Sequence, residues 1–223
     1  MNKFIVTLAF VASFTWVLNA CVRVPPAPTG IVPDDLATIE AQAEDIIDVA
    51  PGGNWETIRS DFAAISDAWQ SYQPRAKKDG ATQAMLDSFD SALANLKAAA
   101  DAQDKTGTMQ ASNDISAVVV DLFDLYQPAI PANVGRLDVL ERQVVLDAAA
   151  DNFTGVSADL AEINQVWETL KPSVVAHDGQ EAAGQFEASL SNQASALQTK
   201  DTSTLTYEAM NALELVDVME QLY

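Results

Sequence analysis

The sequence predicts an all-α protein built from two tandem up-down-up-down four-helix units, and three observations carry that reading. Apolar residues recur at helical spacing, with no stretch of alternating β-branched and polar residues. One apolar ridge returns later in the chain in the same register. Short breaks rich in Gly, Pro and Asp divide the pattern into eight segments, and short connections force sequential helices to run antiparallel.

The ridge consists of Trp55, Ile58, Phe62, Ile65, Trp69 and Tyr72, a 3-4-3-4-3 spacing that lines one helix face. At an offset of about 98 residues the same positions hold Phe153, Val156, Leu160, Ile163, Trp167 and Leu170. Pro33 and Pro131, Asn54 and Asn152, Asp61 and Asp159, and Pro74 and Pro172 share that register, which reads as an internal duplication. Helices are expected at about 34–50, 54–78, 81–102 and 107–126 in a first unit (34–127). A second unit (131–223) should hold helices at about 132–150, 153–177, 180–199 and 202–222.

Six of the seven breaks are marked by Pro51-Gly52-Gly53, Asp79-Gly80, Thr106-Gly107, the stretch from Pro128 to Pro131, Asp178-Gly179 and Asp201-Thr202-Ser203. The third helices keep a seam of Leu86, Phe89, Leu93 and Leu96, matched by Phe186, Leu190 and Leu197. The fourth helices converge on Val120-Asp121-Leu122-Phe123-Asp124 and Val216-Asp217-Val218-Met219-Glu220. Being broadly apolar, they are expected to be the most buried helix of each unit.

The N-terminus has a different character. Lys3, an apolar run from Phe4 to Leu18 and the small Ala20 form the layout of a signal peptide over residues 1–20. That run is shorter than the roughly 20 apolar residues a membrane span needs. Leu18-Asn19-Ala20-Cys21 resembles the lipobox of bacterial lipoproteins, with Asn19 a departure from the commoner pattern. The resemblance implies cleavage before Cys21 and a lipid on its sulfur. Cys21 is the sole cysteine, so no intramolecular disulfide competes for it. By the same resemblance Val22, which is not Asp, implies an outer-membrane destination facing the periplasm. Residues 21–33, with Pro25, Pro26, Pro28 and Pro33, are expected to form an extended tether.

A formal net charge of −20 argues against nucleic acid as a partner. It also disfavours anionic head groups, so the expected membrane partner is reached through the lipid anchor. Apolar residues at 48 % supply enough material for a core.

Catalytic residues are hard to find. His177 is the one histidine, and it falls in a polar turn between two expected helices, where a solvated side chain is the expectation. A single Cys and a single His exclude Cys-x-x-Cys-His haem attachment and paired Glu-x-x-His di-iron ligation. The layout is similar to that of imelysin-like periplasmic proteins. Their Gly-x-His-x-x-Glu motif is broken here by Val175 and Gln180, so no function is carried over. No catalytic residue and no cofactor is expected.

Two features remain. Asp121 with Asp124, and Asp217 with Glu220, put paired carboxylates one turn apart near helix C-termini, where the macrodipole disfavours negative charge. Solvated acids are the first expectation, and compensation by an arginine or by a weakly bound divalent cation is the alternative. Glu141 replaces Ala43 in the repeat register, beside Arg136, Asp138 and Arg142. A polar patch between the bundles is one outcome. The expected one is a slight rotation that turns Leu137, Leu140 and Val144 inward and leaves Glu141 at the edge. Asp138 and Arg142 have salt-bridge spacing.

The functional expectation is a lipid-anchored, non-catalytic helical protein of the cell envelope, binding a protein partner or small ligand or serving a structural role. Divalent-cation binding is the alternative, and a carboxylate-only hydrolase the third.

Overall fold

The computed structural model describes residues 30–223, so the expected signal segment, Cys21 and most of the tether lie outside the described residues. The described chain is helical with no strand. Its helices are α1 (Asp34–Val49), α2 (Trp55–Asp79), α3 (Gln83–Ala102), α4 (Lys105–Asp124), α5 (Ala132–Ala149), α6 (Phe153–Ala176), α7 (Gln180–Thr199) and α8 (Thr202–Glu220). A short 3₁₀ turn, Ala50–Gly52, follows α1. Helices α1–α4 enclose one apolar core and α5–α8 another, and α4 packs on α5 to join the two bundles. No described helix is long and apolar enough to cross a membrane.

Side chains set the helix starts. The carboxamides of Asn54 and Asn152 accept from Thr57 N and Gly155 N, capping α2 and α6. Asp104 and Asp201 cap α4 and α8 in the same way, accepting from Gly107 N and Thr204 N at 3.1 Å each. The Asp104 cap corrects one expected boundary: α4 begins at Lys105, and Thr106-Gly107 lies in its first turn rather than in the break. Both α3 and α7 end on a non-glycine left-handed residue, Gln103 and Lys200, each at φ 54°.

The two cores are built alike around a tryptophan. Trp69 stacks on Phe89 at 3.8 Å between ring centroids, and its indole N–H donates to Asp90 at 2.7 Å. Trp167 leans on Phe186 at 4.8 Å and donates to Glu187 at 3.4 Å. Burying these rings while their polar edge reaches a carboxylate satisfies both the apolar body and the N–H.

Two expectations need correction. The second unit buries α5 more fully than α8, because α5 is sandwiched between its own core and α4. The tether is also shorter than expected at its C-terminal end. Gly30 N donates to Tyr126 O at 2.8 Å and Val32 packs on the first core, so the chain is already held to the fold there.

Candidate functional site

The bundles meet closely because α5 carries Gly135 opposite Val120 of α4. A Cβ at Gly135 would lie 3.1 Å from Val120 Cγ2, so a larger residue would require the Val120 side chain to give by a few tenths of an ångström. Above this contact α1, the α4–α5 connection and the end of α8 border a groove of about 470 Å³. Val32, Val120, Phe123, Ile130 and Pro131 contribute apolar surface to it, whereas Glu40, Glu44, Asp138 and Glu220 contribute carboxylates.

Arg142 organises those acids. It reaches Asp138 at 2.6 Å, the expected pairing one turn apart on α5, and crosses to Glu44 of α1 at 2.9 Å. The polar patch between the bundles therefore exists. Glu40 and Glu220 also feel its field, so four carboxyl groups share one guanidinium, with Asp217 beside Glu220. Glu40 Oε2 is buried, and the Ser116 hydroxyl of α4 is the donor beside it, the two standing short of a well-formed hydrogen bond.

Electrostatics follow from this imbalance. Burial, with the Glu44 charge second, pushes Glu40 up to about 8, against weaker opposition from Arg142. Burial likewise raises Asp138 to about 7, with Arg142 the chief opposing influence. Glu220 is raised by burial, then by Glu44 and Asp217. Where several carboxyl groups share one cation in a dry place, some keep their protons.

Of the carboxylate pairs singled out in the sequence, Asp217 and Glu220 join this cluster, whereas Asp121 and Asp124 do not. Asp121 accepts from Arg136 at 2.6 Å, the arginine compensation considered above, and Asp124 is exposed. Among the described residues no group of three or more His, Cys, Asp or Glu side chains is arranged to hold a metal ion. His177 lies at the exposed end of α6, its Nδ1 2.8 Å from Ser173 O and its ring against Tyr223.

Glu141 corrects the expected rotation of α5. It is fully buried, accepting from Gln193 Nε2 at 3.0 Å, while its Oε1 has no donor. Burial pushes it up to about 8. Leu137, Leu140 and Val144 do face inward, but Glu141 goes in with them because Gln193 of α7 waits as a polar partner. Gln193 sits between Leu190 and Leu197 on the expected seam, and that break in an apolar row is the overlooked signal.

Sequence reasoning also missed two pairs of facing aspartates. Asp61 lies against Asp45 and rises to about 6; Asp159 lies against Asp147 and rises to about 7, burial leading in both. Gly155 makes the second pair possible, since a Cβ there would overlap the Asp147 carboxylate. These acids pack inside single bundles, away from the groove.

The groove combines apolar walls with carboxyl groups that outnumber the one guanidinium among them, an arrangement suited to holding a ligand. No protein-family model, curated protein or solved structure matches the chain.

Proposed function

We propose that this protein is a non-catalytic, lipid-anchored module of the cell envelope that binds a small organic ligand in the groove between its bundles. The observation carrying the proposal is the groove itself. Its volume of about 470 Å³ is that of a small-molecule site, and its apolar surface ends on the buried carboxyl of Glu40. The anchoring half of the proposal rests on the lipobox resemblance at Cys21. With a net charge of −20 the chain has no electrostatic attraction to anionic head groups, so attachment to a membrane would fall to the lipid.

A thermal-shift screen of small organic molecules tests the ligand half, with Ala41→Trp, which fills the groove from an exposed position on α1, as control. The proposal expects ligands that stabilise the parent and not the variant; equal shifts in both contradict it. Mass spectrometry of the membrane-extracted protein should find a diacylglyceryl group on Cys21, and Cys21→Ser should move the protein to the soluble fraction. An unmodified thiol contradicts the anchor.

A carboxylate-only hydrolase is the second reading. It draws on Glu40, which burial pushes up to about 8, beside Glu44, which Arg142 meets at 2.9 Å, two carboxyl groups within one groove. A sugar would need hydrogen-bonding walls, and apart from Glu40, Glu44, Asp138 and Glu220 the side chains lining this groove are those of Ala, Val, Phe, Ile and Pro. Turnover of chromogenic glycosides, lost in Glu40→Gln, would favour the hydrolase over the binding module.

A further inference from the structure

We infer that the groove takes a primary alkylammonium ion, its charged head against Glu40 and its chain along Val120 and Phe123. This inference rests on the groove being a ligand site and adds the chemical class of the ligand. Three observations point to it. Four carboxyl groups, Glu40, Glu44, Asp138 and Glu220, share one guanidinium, so acids outnumber cations in the cluster. Glu40 Oε2 is buried with only the Ser116 hydroxyl of α4 beside it as a donor, and a buried acceptor so placed is stabilised when a charged donor arrives. The adjoining wall is apolar, which suits a hydrocarbon chain and not a hydrated ion.

Competing cations fit less well. A metal ion needs several oxygen ligands converging on one point, and the described residues offer no such group. A quaternary ammonium has no N–H to give Glu40 and is held by several aromatic rings, whereas among the described residues Phe123 is the one aromatic side chain lining the groove. A primary ammonium brings three donors and one charge.

Binding also acquires a pH dependence. Glu40 is the acceptor, with Glu44 beside it on α1, Asp138 and Arg142 facing it from α5, Ser116 from α4, and Glu220 entering the cluster from α8. Because burial keeps Glu40 protonated near neutrality, an ammonium must displace that proton. Affinity should rise from pH 6 to pH 9, and binding at pH 7 should release protons into the buffer.

Four probes of one chain length test this by NMR titration and calorimetry: hexylammonium, hexyltrimethylammonium, hexanol and hexanoate. Hexylammonium is expected to bind at least about tenfold more tightly than hexanol or hexyltrimethylammonium, with hexanoate weakest. Glu40→Gln should erase the preference over hexanol and the pH dependence together, and Ala41→Trp should abolish binding of all four. Circular dichroism confirms that each variant is folded, and Asp124→Asn, outside the cluster, should change nothing. Equal binding of hexanol and hexylammonium overturns the charge inference while leaving the groove as a ligand site. Hexylammonium binding that survives Ala41→Trp overturns the location. Failure of all four probes overturns the alkylammonium assignment, and the broader screen decides the fate of the groove separately.

Discussion

Glu141 shows how much one buried carboxyl governs. It is enclosed by the second core, satisfied on one oxygen by Gln193, and neutral at pH 7 because burial raises it to about 8. Glu141→Gln is therefore expected to change stability by less than about 1 kcal/mol at pH 5, where both side chains are neutral. At pH 9, where the carboxylate would be charged in the core, the variant should be the more stable of the two. Chemical denaturation at the two pH values checks this, and a variant no more stable than its parent at pH 9 contradicts it. Helical spacing in the sequence fixes the angular position of Glu141 but not whether a long polar side chain at that angle finds a partner. That partner, Gln193, stands 52 residues away, so the contact belongs to tertiary structure. The aspartate pairs were hidden for the same reason. Asp61 and Asp159 share a register in the sequence, but their neighbours Asp45 and Asp147 do not, and only the folded chain brings each pair together.

Individual helices were more legible. Periodicity and capping residues are local, and so six of the eight helix starts fall within about one residue of expectation. The departures have local causes: Asp104 starts α4 early, and Thr82 starts α3 late by accepting from Met85 N. The Asn152 cap matters beyond its own hydrogen bond, since α6 carries Trp167 and Asp159 into the second core. Asn152→Ala should cost about 0.5–2 kcal/mol in thermal or denaturant unfolding. Asn152→Asp, which keeps an acceptor at the helix N-terminus, should lose less than Asn152→Ala; equal losses would mean that the side-chain acceptor contributes nothing.

Taken whole, the molecule stores protons. Glu40 and Glu141 rise to about 8, Asp138 and Asp159 to about 7, and Asp61 to about 6, all above ordinary carboxyl values. A carboxyl raised in the folded state keeps a proton that the unfolded chain releases. Stability is then greatest below the unfolded values near pH 4 and falls as pH rises through about 6 to 8. Glu187 and Asp201 are lowered and act in the opposite direction, but both lie at the exposed surface, where solvent screens them. Tm should fall by at least about 5 °C between pH 5 and pH 8.5, the change that roughly 2 kcal/mol produces in a chain of this size. Added salt should not erase the fall, because salt screens the repulsion of a −20 surface and not the burial of a carboxyl. The junction between bundles was the least legible part of this design. Its proximity of α1, α4, α5 and α8 depends on Gly135 meeting Val120, and no helix announces by its own pattern which neighbour it will touch.

That junction is best examined at Glu40 itself, by following the side-chain carboxyl carbon through a pH titration with ¹³C NMR. A midpoint near 8 that moves downward when hexylammonium is added is the expected result, since a bound cation favours the charged carboxylate. A midpoint at the ordinary value of 4.5, unmoved by hexylammonium, would contradict both the buried carboxyl and the ligand assigned to it.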